Sequence, residues 1–127
     1  MKPKETTGAE NNLPTTIQTD VEVIKKLFGR RLRSLAVFGS CVRSGFHKAR
    51  DIDMALLMND DSMTTIEAKR RLITLNLSFP LRGENIEENY SGGGGYLPQK
   101  EYHIIILTPG HRSQRFFSRH RSYLRFM

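Results

Sequence analysis

One cysteine is all that the 127 residues contain. With Cys41 alone, no disulfide can close within the chain and no cysteine-rich zinc site can be built from it. Cys41 reads as a small packing residue beside a turn. Long apolar runs are also missing, and none approaches the roughly 20 residues needed to span a bilayer. No membrane partner is therefore expected. Met1 to Asn12 are polar and lack the apolar core of a secretion signal, which makes a cytoplasmic protein the expectation. Acids are absent after Glu101, where Arg112, Arg115, Arg119, Arg121 and Arg125 crowd the tail. No internal repeat is visible.

What is present suits a single small folded domain: 38% of residues are hydrophobic and 26% charged. The formal net charge of +7 predicts an anionic partner, whether a nucleotide, a nucleic acid or an acidic protein. Residues 1–18 mix Lys, Glu, Thr, Gly, Asn and Pro without periodicity and read as a flexible N-terminal segment. The folded domain is expected over 19–127. Thr19 and Glu22 have capping-box spacing, and Val23, Ile24, Leu27 and Phe28 supply an apolar helix face that Gly29 ends.

Leu35-Ala36-Val37-Phe38 reads as a buried strand, closed by Gly39-Ser40 and a helical turn over 41–45. Asp51 to Met58 reads as a second strand. Thr64 and Glu67 repeat the capping-box spacing and predict a helix from Thr65 to Leu75, with Ile66 and Ile73 on one face. Leu81 to Pro98, with four glycines at Gly92 to Gly95, reads as a long irregular stretch: either a surface loop or a loop that folds over substrate. Tyr102 to Leu107, rich in isoleucine, predicts a third strand. Thr108-Pro109 looks like a helix start. The segment 109–127 is then expected to be a basic amphipathic helix, with Phe116, Phe117, His120, Tyr123, Leu124 and Met127 on a broad face.

The chemistry lies between the first two strands. Side chains alternate along a strand, so Asp51 and Asp53 project from one face with Cα atoms about 6.6 Å apart. Two such carboxylates can grip hard cations, and without one they raise each other's pKa. A lone Asp-x-Asp is common on exposed strands, and a lone Gly-Ser is common in turns. Together they place a phosphate cradle beside a metal-binding edge, because glycine admits close backbone approach and the following amides and the Ser40 hydroxyl can donate to phosphate oxygens.

Gly39-Ser40, ten intervening residues and Asp51-Ile52-Asp53 resemble the signature of the DNA polymerase β-type nucleotidyltransferase superfamily. The likeness covers roughly residues 20–110 and is specific over Val37 to Met58. It is nearest to the minimal nucleotidyltransferases, small proteins often paired with a helical partner. The resemblance implies an α/β (α+β) fold with a small mixed sheet backed by helices. It implies transfer of a nucleoside monophosphate from a nucleoside triphosphate to a hydroxyl, with Mg²⁺ (or Mn²⁺) as cofactor. Gly39 and Ser40 would hold the triphosphate, and Asp51 and Asp53 the metal. Arg43 matches a basic position often seen after the Gly-Ser, an exposed salt-bridging arginine being the alternative.

Three departures from the pattern stand out. Ser44 occupies a position often held by glycine, with Gly45 next. Arg50 occupies one often held by serine, and there it could lower the pKa of Asp51, reach a phosphate or be solvated. The third acid that active members carry on a later strand is missing from Tyr102 to Leu107. His103 takes the corresponding position, as proton acceptor, metal ligand or strand histidine, and Glu101 precedes it. Two further functions remain open. One is an antitoxin-like interaction subunit that binds a helical protein partner or itself. The other is a nucleic-acid-binding module using the arginine-rich tail and its aromatics.

Overall fold

Apolar residues at four- and three-residue intervals seat the first helix on the sheet. The computed structural model describes residues 4–5, 13–43, 45–46, 51–60, 62–87, 100–109, 114–116, 118 and 122–126. Helix α1 spans Thr15–Phe28, with Ile17, Val21, Ile24 and Phe28 buried along one side. It begins at Thr15 rather than Thr19. The cause is Ile17, which continues the apolar spacing back by one turn, so burial outweighs the modest helix preference of two threonines. Pro14 is the N-cap, and Gln18 Nε2 donates to the Leu13 carbonyl at 3.0 Å. Thr19 therefore lies inside the helix, and residues 15–18 belong to the fold. Gly29, at φ 55°, ends the helix as expected.

Six strands make one sheet. They are β1 (Lys4–Glu5), β2 (Leu32–Phe38), β3 (Asp51–Met58), β4 (Ile86–Glu87), β5 (Glu101–Leu107) and β6 (Ser122–Arg125), in the order β1-β6-β2-β3-β5-β4. β2 is antiparallel to β3 and β6, whereas β3-β5 and β5-β4 are parallel pairs. The expected small mixed sheet backed by helices is what forms. A register shift between Leu32 and Ser34 lets Leu32 face the same side as Leu35.

Helix α2 is the short turn Ser40–Arg43, and α3 is Thr65–Leu72. Thr64 caps α3 through its side chain, which accepts from the Glu67 amide at 3.1 Å. The side of α3 that packs is not the expected one. Ala68 and Leu72 are buried, while Ile66 is 70% exposed and Ile73 50%. Ile66 stands two positions, about 200° of helical rotation, from Ala68, so only one of the two sides can meet the sheet. Ile73 is the C-cap, and the helix stops short of Leu75.

Both α1 and α3 cover the same face of the sheet, contributing to a core with Leu35 and Val37 of β2, Ile52, Met54 and Leu56 of β3, and Tyr102 and Ile104 of β5. The opposite face carries a smaller cluster of Phe38, Ala55, Leu57, Ile105, Phe116 and Tyr123.

Two further stretches differ from their sequence reading. Within Leu81 to Pro98, the chain makes a 3-10 turn at Gly83–Asn85 and then β4, which pairs Ile86 with Ile104. The tail is not one helix. Residues 114–116 and 118 are helical, but β6 adds to β2 with Leu124 opposite Val37 and Tyr123 opposite Phe38. An unpaired strand edge leaves backbone donors and acceptors unmet, and the tail supplies partners that helical periodicity cannot anticipate. Gly92 to Gly95, Ser44, Arg50, Arg112, Phe117, Arg119, His120, Arg121 and Met127 lie outside the described residues.

Candidate metal and nucleotide site

Strand direction gathers the motif residues. Because β2 and β3 run antiparallel, the end of one meets the start of the other: Phe38 is opposite Asp53, and Gly39 follows at once. Because β3 and β5 run parallel, Asp51 aligns with Glu101 and Asp53 with His103. Ile52, Met54, Tyr102 and Ile104 point into the helix-side core. Alternation therefore sends Asp51, Asp53, Glu101 and His103 to the opposite face.

There the two aspartates and the histidine converge. One ligand atom from each of Asp51, Asp53 and His103 lies within 4.8 Å of the others. His103 Nδ1 is 3.8 Å from Asp53 Oδ1, and His103 Nε2 is 3.3 Å from Glu87 Oε2. Asp53 is buried, and among the described residues no donor is hydrogen-bonded to it or to Asp51. Burial pushes the Asp53 carboxyl up to about 6; His103 pulls it down, Asp51 pushes it further up, and Arg43 pulls it down.

Gly39 shapes the other side of the site. Its φ is +79°, and a Cβ there would collide with the Asp53 carboxylate. Left-handed backbone and close approach both select glycine. The Gly-Ser bend and the Asp-x-Asp pair are thus in direct contact. Ser40 is half-buried and opens α2, whose first two amides have no acceptor within the turn, since the Gly39 carbonyl takes Val42 and Arg43 at 3.0 Å each. Arg43 is exposed and reaches Asp53 through its charge alone. Cys41 is buried next to the pair, and burial, with Asp53 adding to it, pushes its thiol up to about 11. Such a thiol packs and does not act as a nucleophile.

Glu101 is not part of the cluster. Its Oε2 accepts from Arg82 Nε at 3.2 Å, Arg82 Nη2 at 3.0 Å and Asn85 Nδ2 at 3.1 Å. Those bonds tie β5 to the turn before β4 and leave His103 as the β5 residue nearest the aspartates. Glu87 was missed by sequence reasoning, since no motif marks it and only the pairing of β4 with β5 brings it to His103.

The donor set fits a divalent cation. Two carboxylates and one imidazole nitrogen converge, and burial makes the Asp53 carboxyl hold its proton more tightly than a solvated aspartate does. Oxygen donors suit Mg²⁺, and Mn²⁺ accepts both oxygen and nitrogen. The tail offers less to nucleic acid than its sequence suggests. Phe116 is buried edge-on against Phe38, with centroids 4.8 Å apart at 83°, and Tyr123 is buried in the same cluster, so neither is available to stack on a base. The same burial consumes apolar tail residues that would otherwise favour an oligomer. No helix among the described residues is long and apolar enough to cross a membrane.

No family model, curated protein or solved structure matches the chain significantly.

Proposed function

We propose that the chain is a metal-dependent nucleotidyltransferase, moving a nucleoside monophosphate from a nucleoside triphosphate to a hydroxyl acceptor with Mg²⁺ or Mn²⁺. The observation that carries this reading is the convergence of Asp51, Asp53 and His103 directly against a glycine that has no room for a side chain. Asp51, Asp53 and His103 would hold the cation, which when bound offsets charge on the phosphate oxygens during in-line displacement. Gly39 gives a phosphate chain access to the backbone, and the Ser40 hydroxyl and the first amides of α2 donate to it. Arg43 adds positive charge at the open side. Arg50, a departure from the motif that lies outside the described residues, is assigned to the same nucleotide only by its place beside Asp51 in sequence. In the reaction a bond forms between the acceptor oxygen and the α-phosphorus. Pyrophosphate leaves, and the hydroxyl proton passes to solvent.

The test uses α-phosphate-labelled ATP, Mn²⁺ or Mg²⁺, and a cell lysate as source of hydroxyl acceptors. The parental chain is expected to transfer label and release pyrophosphate, and the Asp51→Asn/Asp53→Asn double variant to do neither. Equal labelling by both removes the catalytic assignment.

A second reading, an interaction subunit that binds a protein partner or a second copy, is favoured by the exposure of Ile66 and Ile73 on α3. Sedimentation of the chain with and without Ile66→Glu and Ile73→Glu checks the self-associating form. A monomer in both cases rejects that form.

A further inference from the structure

Behind the metal cluster stands a fourth titratable group on a strand that no motif marks. Ile86 belongs to the helix-side core, so its neighbour Glu87 emerges on the site face. Asp53 and His103 are register partners on β3 and β5, and Glu87 lies on β4, the next parallel strand, in register with Ile105, two residues beyond His103 on the same face. Backbone register sets their spacing.

The two ring nitrogens of His103 meet different surroundings. Nε2 faces Glu87 Oε2 at 3.3 Å, and Nδ1 faces Asp53 Oδ1 at 3.8 Å. A carboxylate only accepts hydrogen bonds, and of the two only Glu87 stands within hydrogen-bond distance, so Nε2 carries the hydrogen directed at Glu87. In the neutral ring this leaves the Nδ1 lone pair on the side of Asp53. The two carboxylates also differ in access. The Glu87 side chain is 33% exposed and that of Asp53 10%, so Glu87 sits at the solvent side and the Nδ1 side is the enclosed one, where Asp51 and Asp53 converge. Histidine ligands are commonly oriented in this way, with the second nitrogen donating to a carboxylate, which also raises the basicity of the ligating nitrogen.

We infer that Glu87 is a positioning residue: it holds His103 as the Nε2–H form and so makes Nδ1 a nitrogen ligand, which biases the site toward a transition dication such as Mn²⁺ or Co²⁺ over Mg²⁺. The bias follows from ligand type, because imidazole suits first-row transition ions whereas Mg²⁺ prefers oxygen throughout. The inference rests on the cation site proposed above, and it does not depend on which reaction the site performs.

Its test needs no nucleotide. Long-range ¹H–¹⁵N correlation spectra of the metal-free chain are expected to show His103 protonated at Nε2, with the Nδ1 resonance moving when diamagnetic Zn²⁺ is added. Mn²⁺ binding is read by electron paramagnetic resonance, with Mg²⁺ as competitor. Glu87→Ala is expected to weaken Mn²⁺ binding about 10–100-fold. Glu87→Gln keeps an acceptor oxygen and should lose less, and it serves if the alanine variant does not fold. His103→Asp should reduce the preference for Mn²⁺ over Mg²⁺ by about tenfold or more, in line with the change of donor atom.

A hydrogen on Nδ1, unchanged Mn²⁺ binding in both Glu87 variants, or unchanged ion preference in His103→Asp overturns the inference. If Mn²⁺ binds as expected and no label is transferred from ATP, the transferase reading fails and this one stands. If label is transferred while the Glu87 variants bind Mn²⁺ like the parental chain, the reverse holds.

Discussion

Two buried aspartates on opposite faces of the sheet show how one side chain serves two ends. Asp20, on the helix side, is 3% exposed. It accepts from the Tyr102 hydroxyl at 2.5 Å, the Ser78 amide at 2.9 Å and the Ser78 hydroxyl at 3.2 Å. Burial, with this bond to Asp20 next, pushes the Tyr102 phenol far above its usual range, so it stays a donor. Asp53, on the site face, is 7% exposed and has no such donors among the described residues. Burial without such donors is what raises its carboxyl. Asp20 is held by three donors, whereas Asp53 faces the His103 ring at 3.8 Å.

Opposite signs of mutational effect would sharpen this contrast. The largest effect is expected from Asp20→Ala, which strands the Tyr102 hydroxyl in the interior and unties exposed Ser78 from α1. A loss of about 3 kcal/mol is expected from a buried donor left without its acceptor. Denaturant unfolding reads it, and a loss below about 1 kcal/mol would erase the distinction between the two aspartates.

Asp53→Asn should move the other way in metal-free protein. Its carboxyl rises from the ordinary 3.8 of a solvated aspartate to about 6 in the fold. Between those values the unfolded chain has released a proton that the folded chain retains. Parental stability therefore falls as pH rises through that window, and the deficit persists at pH 7. The asparagine variant escapes it, gaining at most about 3 kcal/mol at about 1.4 kcal/mol per unit. The gain should shrink toward zero near the lower end of the window. Thermal melts at several pH values check it, and a variant less stable at pH 7 than the parental chain contradicts the assignment. Added Mn²⁺ should then raise the melting temperature of the parental chain alone, because ligand binding stabilises only the state that binds.

Gly39→Ala combines a backbone at φ +79° with a collision against Asp53. A destabilisation of about 2 kcal/mol is expected from the left-handed conformation, together with weaker Mn²⁺ binding by calorimetry. Undiminished binding would mean that the carboxylate does not depend on this contact. The smallest effect belongs to Thr64→Ala, which removes the α3 cap at a cost of about 1 kcal/mol. Since α3 lies on the helix side, Mn²⁺ affinity should not change, and a coupled loss would show that the two faces are not independent.

Local chemistry made much of the fold legible. The bounds of β3, Asp51 to Met58, coincide with an apolar run entered through acids, and the Thr64 cap is visible in the spacing of Thr64 and Glu67. Gly29 and Gly39 mark chain reversals that only glycine adopts easily. Less legible was whatever required a choice between faces. The apolar residues of α3 fit two opposite stripes, and the sheet took Ala68 and Leu72 over Ile66 and Ile73. In α1, Asp20 anchors β5 through the Tyr102 hydroxyl, a role that no local spacing marks.

By itself the sequence determined the strand that carries Asp51 and Asp53 on one side, and the glycine bend before it, because side-chain alternation and backbone freedom are properties of consecutive residues. Tertiary structure decided that β6 completes the sheet, that Glu101 belongs to Arg82 and Asn85, and that His103 stands between Asp53 and Glu87. Those outcomes depend on register between strands far apart in the chain, where backbone pairing and burial are settled together and no local spacing records the partner.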